Sequence, residues 1–273
     1  MRELPAILSC LVLTAACAAP AEPPPPGPSA SFPAGELVDL SHTYDAETIY
    51  WPNAERFELR KDAGGTTDAG YYYAANSFFT AEHGGTHIDA PVHFAEAHQT
   101  TDEIPLERLI APAVVVDVTA ASERDADYLI TVDDITGFEA RHGAIAPGTI
   151  LLFRTGFSTR WPDAERYLGT AERGEAATAD LHFPGVSPEA AGWIVANRQV
   201  AAVGIDTASI DYGQSTLFET HRTLFAENIP AFENLAQLDR LPETGAYLIA
   251  LPMKIGGGSG GPLRAVAVLP PAR

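Results

Sequence analysis

The stretch His83-Gly-Gly-Thr-His87-Ile-Asp89-Ala-Pro-Val-His93 gathers three histidines and one aspartate within eleven residues. Imidazole nitrogen and carboxylate oxygen are the usual protein ligands of Zn²⁺- and Mn²⁺-type ions. A metal held by His83, His87 and Asp89 keeps a coordination position for water, the feature that a catalytic metal site needs. A single histidine is ordinarily a surface or satisfied core group, but four candidate ligands at this spacing are hard to dismiss in that way. The pattern is not the zincin H-E-x-x-H: residue 84 is glycine, so no glutamate there can act as base.

Other candidates are weaker by spacing alone. His221 and Glu233 lie twelve residues apart, with Asn234 following, and such a pair is usually a surface feature. Asp206 and Asp211 follow a buried apolar run, where carboxylates either serve a site at a strand end or cap a turn. His182, in His182-Phe-Pro-Gly185, belongs either to a pocket loop or to a plain turn. Trp51 beside Tyr50, and the run Tyr71-Tyr72-Tyr73, could line a pocket for a planar substrate, with core packing as the default. Gly256-Gly-Gly-Ser-Gly-Gly261-Pro262 is not a phosphate loop, because no Gly-Lys-Ser/Thr follows and the next element reads as a strand. It fits a flexible or closely approached loop beside a pocket. No G-x-S-x-G is present, which leaves a serine-hydrolase elbow without support.

Strands are expected at 36–40, 57–60, 70–79, 113–118, 149–153, 200–205, 246–251 and 263–269, from alternating or β-branched runs. The aromatic strand at 70–79 delivers the chain directly to His83. Helices are expected from the cap Thr131 to Gly143, from Ser187-Pro188-Glu189 to about Gln199, and near 217–228. Strands and helices mix without regular alternation. That pattern predicts one α/β domain whose mixed sheet curls toward a barrel.

The length of 273 residues suits one large domain. A formal net charge of −19 argues against nucleic acid, whose phosphates it would repel. Residues 1–16 read as an export signal, with a short apolar core ending in small residues. Thr14-Ala-Ala-Cys17 looks like a lipoprotein processing box, which implies lipidation of Cys17. Residues 17–35 are a Pro-rich tether, and 36–273 the folded domain. Export to the periplasm or cell surface is expected, with membrane contact only through the lipid anchor. Cys10 and Cys17 are the only cysteines, so the processed chain can form no internal disulfide.

The motif His83-x-Gly85-Thr86-His87-x-Asp89-x-Pro91-x-His93 resembles the signature of the cyclase superfamily that includes bacterial kynurenine formamidases and isatin hydrolases. Asp39-Leu-Ser-His42, Arg154-Thr-Gly156, Gly204-Ile-Asp-Thr-Ala-Ser-Ile-Asp211 and Glu233-Asn-Leu235 look like further blocks of that superfamily, over roughly residues 36–270. The resemblance implies a swivelling β/β/α-type fold, a homodimer or larger, metal ligation by His83, His87 and Asp89, and proton transfer by His93. It implies a second ion at His221 and Glu233 with the aspartate shared, so one or two ions, Zn or Mn. The activity implied is hydrolysis of an amide C–N bond in a small aromatic substrate, with His93 of near-neutral pKa as general acid and base. The substrate expected first is an aryl formamide of the N-formylkynurenine type; isatin, another cyclic amide or a lactone is the alternative. The export leader departs from the cytoplasmic formamidases and puts a role in tryptophan catabolism in doubt. A reading from another class is a surface lipoprotein that captures metal or a small ligand without turnover.

Overall fold

The structure is a computed structural model, and it describes residues 35–271. The expected leader, Cys10, Cys17 and all of the tether but Gly35 lie outside the described residues. Among the described residues no helix is long and apolar enough to cross a membrane.

Twelve strands are described: β1 (Leu37–Asp39), β2 (Glu58–Thr66), β3 (Tyr72–Phe79), β4 (His87–Asp89), β5 (Ile110–Asp117), β6 (Leu129–Ile130), β7 (Ile150–Arg154), β8 (Gly185–Val186), β9 (Ala202–Ile205), β10 (Ala231–Glu233), β11 (Ala246–Pro252) and β12 (Gly260–Val268). Eight of them form one sheet in the order β1-β12-β11-β5-β7-β9-β10-β4, and β12 pairs also with β4. That extra pairing closes a seven-stranded ring, with β1 added along the far half of β12. β5, β7, β9 and β10 run parallel, and the remaining pairings of the ring are antiparallel. The result is the mixed, barrel-like α/β domain that the sequence predicts.

Period-two alternation assigns the two faces of the parallel strands. Ala111, Ala113 and Val115 of β5, Ile150 and Leu152 of β7 and Ala202 of β9 join residues from every other strand of the ring in one cluster, which places it inside. Alanine recurs there because a small closed barrel leaves little room. Leu151, Phe153, Val203 and Ile205 face outward and pack against the helices Val132–His142, Pro188–Asn197 and Glu219–Phe225. Those helices carry the crossovers that parallel strands require. Thr131 caps the first in a capping box with Asp134, and Ser187 with Pro188 starts the second.

The expectation that most rings of residues 70–79 pack in the core is not met. β2 and β3 form a separate two-stranded ribbon, longer than the sequence pattern at 57–60 implies, and nearly all of it is exposed. Tyr71, Tyr72, Tyr73, Phe78 and Phe79 are each more than half exposed. Alternation was read correctly as strand, but a ribbon that joins no larger sheet has no buried face to offer its aromatic side.

Candidate metal centre and cavity

β4 is three residues long and fully buried, and it holds His87 and Asp89 in place. The preceding loop must turn sharply to deliver His83. Gly85 does so at φ 58, where a Cβ would also stand 2.6 Å from the Tyr44 ring. Tyr44 ties the loop down by sharing its one hydroxyl proton between the carbonyls of Gly84 and Thr86. Asn234, itself at φ 53, donates from Nδ2 to the Gly85 carbonyl at 2.8 Å and accepts from Tyr167 at 2.9 Å. Glu233 ends β10, and His221 lies on the buried side of the helix Glu219–Phe225.

Asp89 is the hub. Its Oδ1 lies 2.6 Å from His83 Nδ1 and 3.1 Å from His87 Nε2, and its Oδ2 lies 3.0 Å from His221 Nε2. Glu233 closes the group, with Oε1 3.2 Å from His221 Nε2 and Oε2 3.5 Å from His87 Nε2. His87, Asp89, His221 and Glu233 are all buried. His93 stacks on His83 with ring centroids 3.8 Å apart. His83, Asp89 and His93 offer one trio of ligand atoms within 4.8 Å of one another, and His87, Asp89 and Glu233 a second, with Asp89 common to both.

Where the protons sit tests whether these residues suit a cation. His87 Nδ1 is 2.9 Å from the carbonyl of Gly85, which can only accept. The proton of the neutral ring is therefore on Nδ1, and Nε2 turns a lone pair toward the two carboxylates. That buried Nε2 has no hydrogen-bond partner. His221 likewise gives its Nδ1 proton to Asp211, 2.5 Å away, and faces Asp89 and Glu233 with Nε2. Asp211 is held for this task by the backbone N–H groups of Thr220 and His221. Lone pairs converging on lone pairs at such distances repel unless a cation lies among them. The separations near 3 Å match the edges of a polyhedron whose metal–ligand bonds are ~2.0–2.2 Å.

With no metal bound, protons take the place of that cation. Burial alone would lower both imidazoles, but the neighbouring carboxylates override it, raising His87 and raising His221 well above its ordinary value. Burial would raise Asp89, yet the charges of His83 and His87 with the His221 hydrogen bond hold it well below the usual carboxylate range. Glu233 is raised, by burial and then by the charge of Asp89. Burial pushes His93 down to about 4 against the opposing pull of Asp89.

The cluster forms the floor of a cavity of about 310 Å³, within the range typical of small-molecule sites. Trp51, Phe94 and Phe218 form its aromatic wall, and Phe218 sits at φ 48, an unusual backbone state for a bulky residue. Trp51 was anticipated as a lining residue. Tyr73 was too, but it stands 53% exposed on the free ribbon, outside the lining. His182 is also outside it: its Nδ1 is 2.9 Å from Asp127 and 2.9 Å from Gln214 at the surface. Phe94 and Phe218 were missed. The first adjoins His93 in the motif, a signal that was there to use; the second carries no local mark.

A closed mixed sheet carrying a buried His/Asp/Glu cluster beneath an aromatic cavity defines a metal-dependent hydrolase, and the comparisons with known proteins agree. Residues 38–212 match the family described as Putative cyclase, and the chain belongs to that family. It is 35% identical over 228 residues to isatin hydrolase of Roseibium aggregatum, covering 81% of this chain and 84% of that protein. It is 30% identical over 233 residues to kynurenine formamidase of Salinibacter ruber, covering 84% and 96%. Isatin hydrolase A from Ralstonia solanacearum superposes with a TM-score of 0.77 at 34% identity, covering 86% of this chain and 92% of that one. A structure described as a predicted metal-dependent hydrolase from Bacillus stearothermophilus superposes with a TM-score of 0.63 at 27% identity, covering 86% and 98%.

Proposed function

We propose that the protein hydrolyses the amide C–N bond of a small, flat, uncharged aromatic substrate, with a cyclic amide of the isatin type as the best fit. The observation that carries this choice is the cavity lining, which contains aromatic rings, the metal cluster and neutral polar groups but neither lysine nor arginine. An amino-acid formamide brings an α-carboxylate for which the lining offers no cationic side chain away from the metal cluster, and burying an unpaired charge is costly. A neutral bicyclic ring meets no such penalty between Trp51, Phe94 and Phe218. The name of the isatin hydrolase relative supports this reading. The open aryl formamide is the second reading, favoured by the kynurenine formamidase relative.

His83, His87 and Asp89 would hold one divalent ion, Zn or Mn, and His221 and Glu233 could hold another with Asp89 shared. A divalent ion bound there supplies a Lewis acid for the carbonyl and lowers the pKa of water toward ~7. Burial favours the neutral form of His93, which leaves one ring nitrogen open to a proton, and the charge of Asp89 works the other way by favouring the imidazolium. His93 takes the proton of the attacking water and passes it to the leaving nitrogen, while the water oxygen ends on the former carbonyl carbon. The stack on His83 fixes the plane of the His93 ring.

The remaining expectations belong to the same reading. The exposed aromatic ribbon supports a homodimer or larger, since an isolated two-stranded hairpin is marginal in water and so large an apolar surface marks an interaction site. The Cys17 box supports export as a lipid-anchored protein. The test is elemental analysis of the purified protein, with isatin and N-formylkynurenine assayed before and after chelation. Metal-dependent opening of isatin with little formamide turnover is the expected result. The reverse ranking would replace the cyclic-amide reading, and bound metal without turnover of either would remove both.

A further inference from the structure

The Gly256-Gly-Gly-Ser-Gly-Gly261 loop is absent from the cavity lining, yet it packs against the metal cluster from behind. Its end opens β12, where Gly260 stands opposite Asp89 and Gly261 opposite Ile88. That register brings Ser259 to His83. Ser259 Oγ is 2.8 Å from His83 Nε2 and donates to Glu82 Oε2 at 2.7 Å. The Ser259 backbone N–H donates to the same glutamate oxygen at 3.0 Å. A hydroxyl has one proton. With that proton on Glu82, Ser259 can only accept from His83, so a neutral His83 carries its hydrogen on Nε2. Its Nδ1 then turns a lone pair toward Asp89 Oδ1, 2.6 Å away.

The glycines on either side of Ser259 make this contact possible. A Cβ on Gly258 would stand 2.8 Å from Glu82 Oε1, and one on Gly260 would stand 2.5 Å from His83 Cε1 and 2.7 Å from the Ile88 carbonyl. A Cβ on Gly256 or Gly257 would meet nothing within 4 Å. The glycines nearest Ser259 are therefore bare because a carboxylate and an imidazole occupy the space.

We infer that Ser259, gripped by Glu82, is a positioning residue that fixes the tautomer and ring plane of His83, so that Nδ1 is the atom offered to the metal. It does for His83 what the Gly85 carbonyl does for His87 and what Asp211 does for His221. Through the 3.8 Å stack it also sets the plane of His93. The inference rests on the metal-centre reading above but not on the identity of the substrate.

Two substitutions test this from opposite ends of the chain of hydrogen bonds. Ser259→Ala removes the acceptor of the His83 Nε2 proton, and Glu82→Ala leaves the serine in place but frees its hydroxyl proton to turn toward His83 Nε2. Glu82→Gln is the control, because its amide oxygen can still accept from both the Ser259 hydroxyl and the Ser259 backbone N–H. The readouts are Zn²⁺ affinity, by competition with a chromophoric chelator, and the ring-¹⁵N shifts of His83 in metal-free protein at pH 8. Ser259→Ala and Glu82→Ala are each expected to weaken Zn²⁺ binding ~10–100-fold, the usual cost of losing an outer-sphere partner. In both, the His83 proton should no longer be confined to Nε2. Should Ser259→Ala fail to fold, Glu82→Ala carries the test alone. Wild-type Zn²⁺ affinity in Glu82→Ala, with His83 still protonated on Nε2, would overturn the inference. Neither readout requires turnover, so loss of the substrate reading and loss of this one are distinguishable.

Discussion

Two substitutions in one loop should have opposite outcomes. In Gly260→Ala the new Cβ would lie 2.5 Å from His83 Cε1 and 2.7 Å from the carbonyl of Ile88. Carbon atoms normally approach to ~3.5–4.0 Å, so the overlap with the ring is about 1 Å. The Ile88 carbonyl belongs to β4, which is paired with β10 on one side and β12 on the other, and it cannot retreat far. The His83 ring must yield instead, and the His93 ring stacked on it moves too. Overpacking of this kind costs ~1–3 kcal/mol, and a misplacement of ~1 Å at a reacting group costs ~10²-fold in rate. Gly256→Ala adds a Cβ that meets nothing, at a backbone position outside the left-handed region. It should be neutral or stabilise by ~0.4–1 kcal/mol, because it restricts the unfolded chain. Denaturant unfolding, Zn²⁺ affinity and kcat on the same two proteins check the pair. Wild-type stability and Zn²⁺ affinity in Gly260→Ala would refute the close-approach reasoning, and so would equal damage from both substitutions.

His93→Ala should lose ~10²–10⁴-fold in kcat, the usual worth of general acid–base help, while elemental analysis still finds bound metal; undiminished kcat would remove His93 from the proton path. Chelation should abolish turnover and lower the melting temperature, since an ion present at ~100 times its Kd stabilises the fold by ~2.7 kcal/mol; an unchanged melt would mean that the ion adds nothing to the fold. His42 stacks on Trp161 at 4.1 Å, and burial, opposed by Asp39, lowers it from 6.5 to about 4. The unfolded chain therefore binds the extra proton between those values. Stability is full above pH 6.5 and falls by up to ~3 kcal/mol as the pH drops to about 4. His42→Phe keeps the stack and should flatten that part of the stability–pH curve, measured by urea unfolding; parallel curves for the two proteins would exclude His42 as the source.

Local chemistry was the legible part of the chain. β5, β7 and β9 carry apolar runs rich in β-branched or aliphatic residues, and the helices Val132–His142 and Pro188–Asn197 carry their caps in the sequence. β4 and β10 were not anticipated, because three residues are too few to show a period and β4 lies inside a glycine-rich motif. The spacing of His221 and Glu233 conveyed little by itself, since they sit on a helix and on the strand that follows it, and how that crossover packs is not written in the spacing. Ser259 and Glu82 are separated by 177 positions in the chain, so no local pattern could join them. Tyr73 and His182 were placed at the site because aromatic and histidine side chains suit one; sequence cannot show on which side of a strand or loop the cavity opens.

The pairing of β4 with β10 is what assembles the metal centre. β4 pairs antiparallel with β10 so that Glu233 stands directly opposite His87 and Ala231 opposite Asp89, while Phe232 faces Ile88. Directly opposed residues have Cβ atoms ~4.5–5.5 Å apart on the same face. His87 and Glu233 therefore meet by register, with no long side-chain reach. Ile88 and Phe232, the alternate residues, point to the other face and are completely buried in the barrel. A slip of one residue would turn these two apolar side chains out of the core and turn Glu233 away from His87. Burial of Ile88 and Phe232 thus enforces the register that brings the carboxylate to the imidazole, and the hydrophobic core specifies the metal site without contributing a ligand to it.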